Sequence, residues 1–242
     1  MTTLNELNQT FSGQSLSRSL QKLRAQFSGR IVFSTSLGLE DQAITDAIFR
    51  NGLDIEVFTL DTGRNFPETY KTLEETRRKY GQPITAYYPQ TEALESYVTA
   101  NGINAMYDSV ALRKECCHIR KIEPLNRALQ GAEVWITGLR AAQSNYRADM
   151  GLFEEDTQRG LIKFNPLLNW STDKLWAYVR QYEVPYNQLH TRGFPSIGCA
   201  PCTRAISAGE DERAGRWWWE QDGAQECGLH YTGDKIIRRK AA

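Results

Sequence analysis

Apolar positions along this chain switch repeatedly between a helical period and short buried runs. "SLSRSLQKLRAQF" carries apolar residues at roughly helical spacing, and "RIVFST" follows as a short buried strand ending in small polar residues. "DQAITDAIFRNG" places Ile44, Ala47 and Ile48 on one helix face and stops at Gly52; "DIEVFTLDTG" is a second strand closed by a turn. "FPETYKTLEETRRKYG" has proline near its start and glycine after its end, as a polar-faced helix would. "PITAYYP" then predicts a third strand and "TEALESYVTANG" a helix. Ser109 to Gly131 has helical character with a proline at 124, and "AEVWITGLR" supplies a fourth strand. "GLIKFNPLLNW" is a candidate further strand, and "STDKLWAYVRQY" is a helix with Ser171 or Thr172 as its N-cap. From about Asn187 onward the pattern is irregular, and the chain contains no repeat.

Strands alternating with helices predict an α/β fold: a mostly parallel twisted sheet, right-handed crossovers and helices on both faces. In such sheets ligands gather outside the carboxyl ends of the strands. The turns that would meet there are "STSLGLED", "LDTGRNF" and "GLRAAQS", each rich in small, hydroxyl or charged residues. That content suits a polar, anionic ligand.

Composition narrows the picture. At 242 residues the chain is long enough for one full core, and the expected division is an α/β domain over 1–208 with a C-terminal tail over 209–242. Its 29 basic and 29 acidic residues cancel, so no global field draws it to nucleic acid or membrane. No run of about 18 apolar residues occurs and the N-terminus lacks a leader pattern, so the expected location is cytoplasmic. In a reducing compartment five cysteines point to metal ligands or reagents rather than to disulfides.

Four of the five form two pairs. "KECCHIRK" contains Cys116 and Cys117, and "IGCAPCTR" contains Cys199 and Cys202. Neighbours on a straight helix point about 100° apart, so Cys116 and Cys117 can reach one centre only near a helix end or kink. An iron–sulfur cluster, with separate iron atoms, accommodates two adjacent thiolates more readily than a single zinc ion. Structural zinc, a redox pair at Cys199 and Cys202, and buried structural cysteines are the rival readings. Arg113, Lys114, Arg120, Lys121 and Arg204 flank the pairs and would offset a negative centre.

With "STSLGLEDQ", "LDTGRNFPETY", "KECCHIRKIEPL", "GCAPCTRA", "GRWWWE" and "ECGLH" in order, nearly the whole chain resembles the assimilatory adenylyl-sulfate reductases of iron–sulfur type. These belong to the phosphoadenylyl-sulfate reductase family, related to the ATP pyrophosphatases with their Ser-Gly-Gly-x-Asp loop and adenine nucleotide alpha hydrolase-like, Rossmann-like fold. Ser36 and Leu37 stand here in place of that glycine pair. The resemblance implies reduction of adenosine 5'-phosphosulfate to sulfite and AMP, the 3'-phosphorylated substrate being the alternative. An ATP-dependent adenylating or thiolating enzyme of the same fold is a more distant one, because it should keep the glycine pair. It further implies a [4Fe-4S] cluster on Cys116, Cys117, Cys199 and Cys202, and thioredoxin or a glutaredoxin-like donor as partner. The oligomeric state is left open.

The family's nucleophile falls on Cys227, in a tail expected to be mobile so that it can close over substrate and then open to the thiol donor. Lys121, Arg213, Arg216 and His230 fall on substrate-contacting positions, the arginine forks suiting phosphosulfate oxygens. Ser34 and Ser36, with amides of the following helix, are candidates for the phosphate. Asp61, Arg64 and Glu68 are candidates for ribose or for shaping the pocket, and Gly138 and Arg140 for adenosine, with helix caps and turns as their structural alternatives. The Trp217–Trp219 run is expected to anchor the start of the tail by packing; docking of thioredoxin is the second reading.

Overall fold

The computed structural model describes residues 3–143, 147 and 150–220. Six strands form one sheet in the order β3-β2-β1-β4-β6-β5, from β1 (Arg30–Thr35), β2 (Glu56–Leu60), β3 (Thr85–Tyr87), β4 (Ala132–Ile136), β5 (Phe153–Asp156) and β6 (Leu161–Phe164). Only the β5–β6 pair is antiparallel. The chain builds outward from β1 to β3, then returns to place β4 on the other side of β1. That reversal creates a crevice at the carboxyl ends of β1 and β4.

Alternation along the strands makes two cores. Ile31 and Phe33 of β1 join Val134 and Ile136 of β4 on one face, under α1 (Leu4–Phe11), α2 (Leu16–Gln26), α3 (Leu39–Arg50) and α8 (Thr172–Gln181). Val32, Phe58 and Trp135 point to the other face, against Leu125, Ala128 and Leu129 of α7 (Glu123–Leu129). Helices therefore cover both faces, as the sequence pattern predicts. The helices α4 (Pro67–Tyr80) and α5 (Thr91–Asn101) flank β3, and α4 ends on Gly81 at φ 63.

Two elements go beyond the expected set. Helix α1 was hidden by its polar composition, yet Thr3 and Glu6 form a capping box and Leu7 and Phe11 are buried. Phe11 packs edge-on to Phe153 and Phe164 at 4.8 and 5.6 Å. The "FEED" strand β5 has no apolar alternation because it lies at the sheet edge, where only part of one face needs burying.

The expected helix from Ser109 to Gly131 is three pieces: α6 (Val110–Cys117), one π-helical turn (His118–Ile122), and α7. The break begins immediately after Cys117 and precedes Pro124. Adjacent cysteines thus sit at the kind of helix irregularity that sharing one centre would require.

Residues 209–220, the first part of the expected tail, are packed onto the body. Arg216 bridges Thr203, and Arg113 and Glu220 form a bidentate pair at 2.7 and 2.8 Å with side chains only 3% and 5% exposed. Among the described residues no helix is long and apolar enough to cross a membrane.

Candidate functional site

The crevice at the β1–β4 reversal opens into a cleft of about 1280 Å³, its mouth included. Its floor is the turn after β1. There Asp41 Oδ2 accepts from both the Ser36 amide and the Ser36 hydroxyl at 2.6 Å. Leu37 adopts φ 62 with its side chain buried. The backbone therefore keeps a left-handed step that glycine would take freely, and a leucine bears the strain because burial of its side chain offsets it. Ser34 also lines the cleft, its hydroxyl accepting from Trp135 Nε1 at 2.8 Å.

Gly138 closes the turn after β4 against this floor. A Cβ there would lie 1.9 Å from Asp41 Oδ1, so the two turns approach more closely than any side chain allows. Burial, partly offset by the Ser36 bonds, pushes the Asp41 carboxyl from 3.8 up to about 6. The folded state thus keeps a proton that the unfolded chain loses between about pH 4 and 6, and stability falls as pH rises through that window, by roughly 3 kcal/mol. Asp41→Asn is expected to remove this slope when urea unfolding is compared at pH 4, 5, 6 and 7. Parallel profiles for the two proteins would refute it.

Lys121, Arg213 and Arg216 all line the cleft. Lys121 comes from the π-helical turn, and the two arginines from the segment preceding Trp217. Gly198 is shaped to Arg216, because a Cβ at 198 would fall 2.2 Å from Arg216 Nη2. Arg147 lines the cleft as well, and sequence reasoning missed it. Its surroundings, "SNYRADM", carry no period and no turn signature that would separate it from a surface arginine.

Other expected site residues stand elsewhere. Asp61 does not line the cleft; its carboxylate accepts from the Gly63 amide at 2.9 Å and the Tyr70 hydroxyl at 2.9 Å, holding its own turn. Glu68 pairs with Arg192 at the surface. Arg64 faces the cysteines instead of the cleft. Arg140 lies behind the cleft wall, its side chain 3% exposed and 2.7 Å from Glu40. For Asp61 the structural alternative, a turn residue, describes what the side chain does, whereas the Arg140 side chain is held in buried ion pairs. Cys227 and His230 lie outside the described residues.

Beside the cleft, and sharing Lys121, Cys199 and Trp217 with it, lies a smaller hollow lined by Cys116, Cys117, Cys199 and Cys202. Among the described residues none of the four is in a disulfide. The Cys199–Cys202 loop is tied to the turn after β2: Ala200 N donates to Arg64 O at 2.8 Å, and the Thr62 hydroxyl lies 3.3 Å from Cys199 Sγ. Arg120 donates to Thr62 O at 2.6 Å, bringing the π-helical turn to the same place. Arg120 Nε, Arg216 Nε and Trp217 Nε1 are buried without a hydrogen-bond partner. Burial pushes the Cys202 thiol up to about 12 and raises Cys116. Burial also opposes ionisation of Cys199, but Lys121, the Thr62 hydroxyl, Arg216 and Arg120 together bring that thiol below its ordinary value. Among the described residues, no three His, Cys, Asp or Glu side chains close around a single-ion position; the thiols line the walls of a shared space instead.

The tryptophan run divides by exposure. Trp217 is 1% exposed, packed with Met106, Cys199 and Cys202, while Trp218 is 41% exposed. Trp217 carries Arg113 and Arg216 over its ring at 5.0 and 4.7 Å. Packing of this run against the thiols agrees with the first of its two readings.

The phosphoadenosine phosphosulfate reductase domain family matches residues 30–205 of this chain. A Burkholderia cepacia protein named adenosine 5'-phosphosulfate reductase is 50% identical over 216 residues, covering 88% of this chain and 86% of its own. A Sinorhizobium fredii protein of the same name is 56% identical over 206 residues, covering 85% and 82%. Among solved structures, phosphoadenylyl-sulfate (PAPS) reductase from Candida auris, a phosphate complex, has a TM-score of 0.70 at 26% identity and covers 83% of this chain and 97% of that one. NMN synthetase from Francisella tularensis, at a TM-score of 0.51 and 14% identity over 76% of this chain and 72% of that one, shares the fold.

Proposed function

The chain belongs to the phosphoadenosine phosphosulfate reductase family, and from that premise we propose that it reduces adenosine 5'-phosphosulfate to sulfite and AMP in sulfate assimilation. The observation that carries the reading is one cleft that gathers the hydroxyls of the first turn with Lys121, Arg213 and Arg216, and shares its wall with a four-thiol hollow. Hydroxyls and amides suit the nucleotide phosphate, and three cations suit a phosphosulfate.

In this reading the Cys227 thiolate attacks the sulfate sulfur, the sulfur–oxygen bond to phosphate breaks, and AMP leaves with that electron pair. The product is an S-sulfocysteine. A thiolate of thioredoxin, or of a glutaredoxin-like donor, then attacks Cys227 Sγ, releasing sulfite and forming a mixed disulfide that the donor's second thiol resolves. Two thiols are oxidised to one disulfide, and sulfur(VI) is reduced to sulfur(IV). Lys121, Arg213 and Arg216 hold the anionic end of the substrate throughout, and His230 orients the sulfate or assists the thiolate. These steps occur in the cytoplasm, where donor thiols stay reduced.

A [4Fe-4S] cluster on Cys116, Cys117, Cys199 and Cys202 fits the residues present. All four thiols line one hollow. Cys202 and Cys116 have raised pKa values as free thiols, so a metal centre is what would ionise them at neutral pH. The unpartnered N–H groups of Arg120, Arg216 and Trp217 are donors of the kind that cluster sulfurs accept. When bound, the cluster supplies a fixed charged centre behind the Lys121 wall, and the electron balance above closes without it.

Two measurements decide the reading. The ratio of kcat/KM for substrate without and with the 3'-phosphate is expected to exceed about tenfold; a ratio below one assigns the chain to the phosphorylated substrate. Protein purified without air is expected to contain iron and acid-labile sulfide in equal amounts, and zinc without sulfide would refute the cluster.

A further inference from the structure

Arg140 follows β4 at the turn that closes the cleft, and its guanidinium is spent on three partners. Nε donates to Glu40 at 2.7 Å, Nη2 to Glu212 at 3.3 Å and Nη1 to the Trp170 carbonyl at 3.3 Å. Glu212 is held from its other oxygen too, which accepts from the Thr172 hydroxyl at the start of α8 at 3.2 Å. A guanidinium buried between two carboxylates has little freedom, because leaving either contact would strand a charge.

Glu212 immediately precedes Arg213, and the segment they share is itself a bonded turn. The Arg213 amide donates to Asp211 Oδ1 at 2.8 Å, the Ala214 amide to Asp211 O at 2.9 Å, and the Arg216 amide to Arg213 O at 2.8 Å. Downstream the turn is anchored on the cysteine loop: Arg204 N donates to Gly215 O at 2.9 Å and Trp217 N to Cys202 O at 3.3 Å. Upstream its anchor is Glu212 on Arg140. With the upstream anchor removed, the turn would pivot about the cysteine loop, and Arg213 would move farther than Arg216.

We propose that Arg140 and Glu212 form a clamp that sets the position of Arg213 in the cleft, making both of them positioning residues for the anionic end of the substrate. Arg140 acts through this chain of contacts and does not touch the ligand, consistent with its place behind the cleft wall. The clamp rests on the reading of the cleft as a sulfonucleotide site.

Glu212 is the residue to vary, because its side chain is 36% exposed and its loss leaves Arg140 paired to Glu40. Glu212→Ala is expected to raise KM for adenosine 5'-phosphosulfate about tenfold, with kcat changed less than about twofold. Glu212→Gln, whose amide oxygen still accepts from Arg140, is expected to recover most of that loss. Arg213→Ala alone should raise KM by a similar or larger factor, and the double variant should be no worse than Arg213→Ala. Multiplying losses in the double variant, or a Glu212→Ala enzyme with unchanged KM, would overturn the clamp. Amide hydrogen exchange tests it independently of substrate: Glu212→Ala should accelerate exchange at Arg213 and Arg216, and unchanged exchange overturns it. Absence of turnover by the wild-type enzyme, by contrast, overturns the functional reading, while the exchange result still judges the clamp.

Discussion

Replacing Cys227 by serine is expected to lower turnover by on the order of 10⁴-fold or more, the largest effect of any single substitution outside the thiol hollow. A serine hydroxyl is not ionised near neutral pH and is a far weaker nucleophile toward sulfur than a thiolate. The substitution changes a single atom, sulfur to oxygen, so substrate binding should persist. Incubation with sulfur-labelled substrate and no thiol donor separates the steps. Wild-type protein should accumulate close to one protein-bound label per chain, released as sulfite on addition of thioredoxin, and the serine variant should accumulate none. A labelled adduct on the serine variant would place the nucleophile elsewhere.

Lys121→Ala is expected to lower kcat/KM by about 10²–10³-fold. The residue lines both the cleft and the four-thiol hollow, so in the proposed reading its ammonium charge serves the substrate's anionic end from beside the thiols. No other basic side chain among the described residues lines both spaces. A single charge-assisted contact to a developing anion in a partly dehydrated cleft carries that magnitude, whereas an exposed lysine would carry almost none. Melting temperature and iron content separate the charge effect from a collapse of the hollow. Both should stay near wild type in Lys121→Ala, and Lys121→Arg should restore only part of the activity, since the fork does not place its charge where an ammonium does. A loss smaller than about threefold would show that Lys121 is a bystander.

Much of this was legible in the residues. Apart from β5, the strand and helix order from Arg30 to Tyr182 follows from periodicity, because buried strands and amphipathic helices must carry their apolar residues at fixed intervals. The edge strand β5 and helix α1 escaped for the converse reason: each buries few residues, so each imposes little pattern. At the site, adjacent cysteines that are to share one centre need a helix irregularity, and a π-helical turn follows Cys117. Lys121, Arg213, Arg216, Ser34, Ser36 and Gly138 all reach the cleft. Asp61 and Arg140 do not, since a motif tells which residues are held together but not which of them faces the ligand.

The sequence by itself determined the class of the sheet and the family, and singled out the two cysteine pairs as candidates for one donor set, since these depend on periodicity and on residue type. Tertiary structure alone decided that cleft and thiol hollow share a wall through Lys121, Cys199 and Trp217. It also decided that Arg140 grips Glu212 across 72 positions of chain. Both facts arise from the β1–β4 reversal, which brings distant turns to one end of the sheet. Local pattern records what each segment buries, and it holds no record of which distant segment lies opposite.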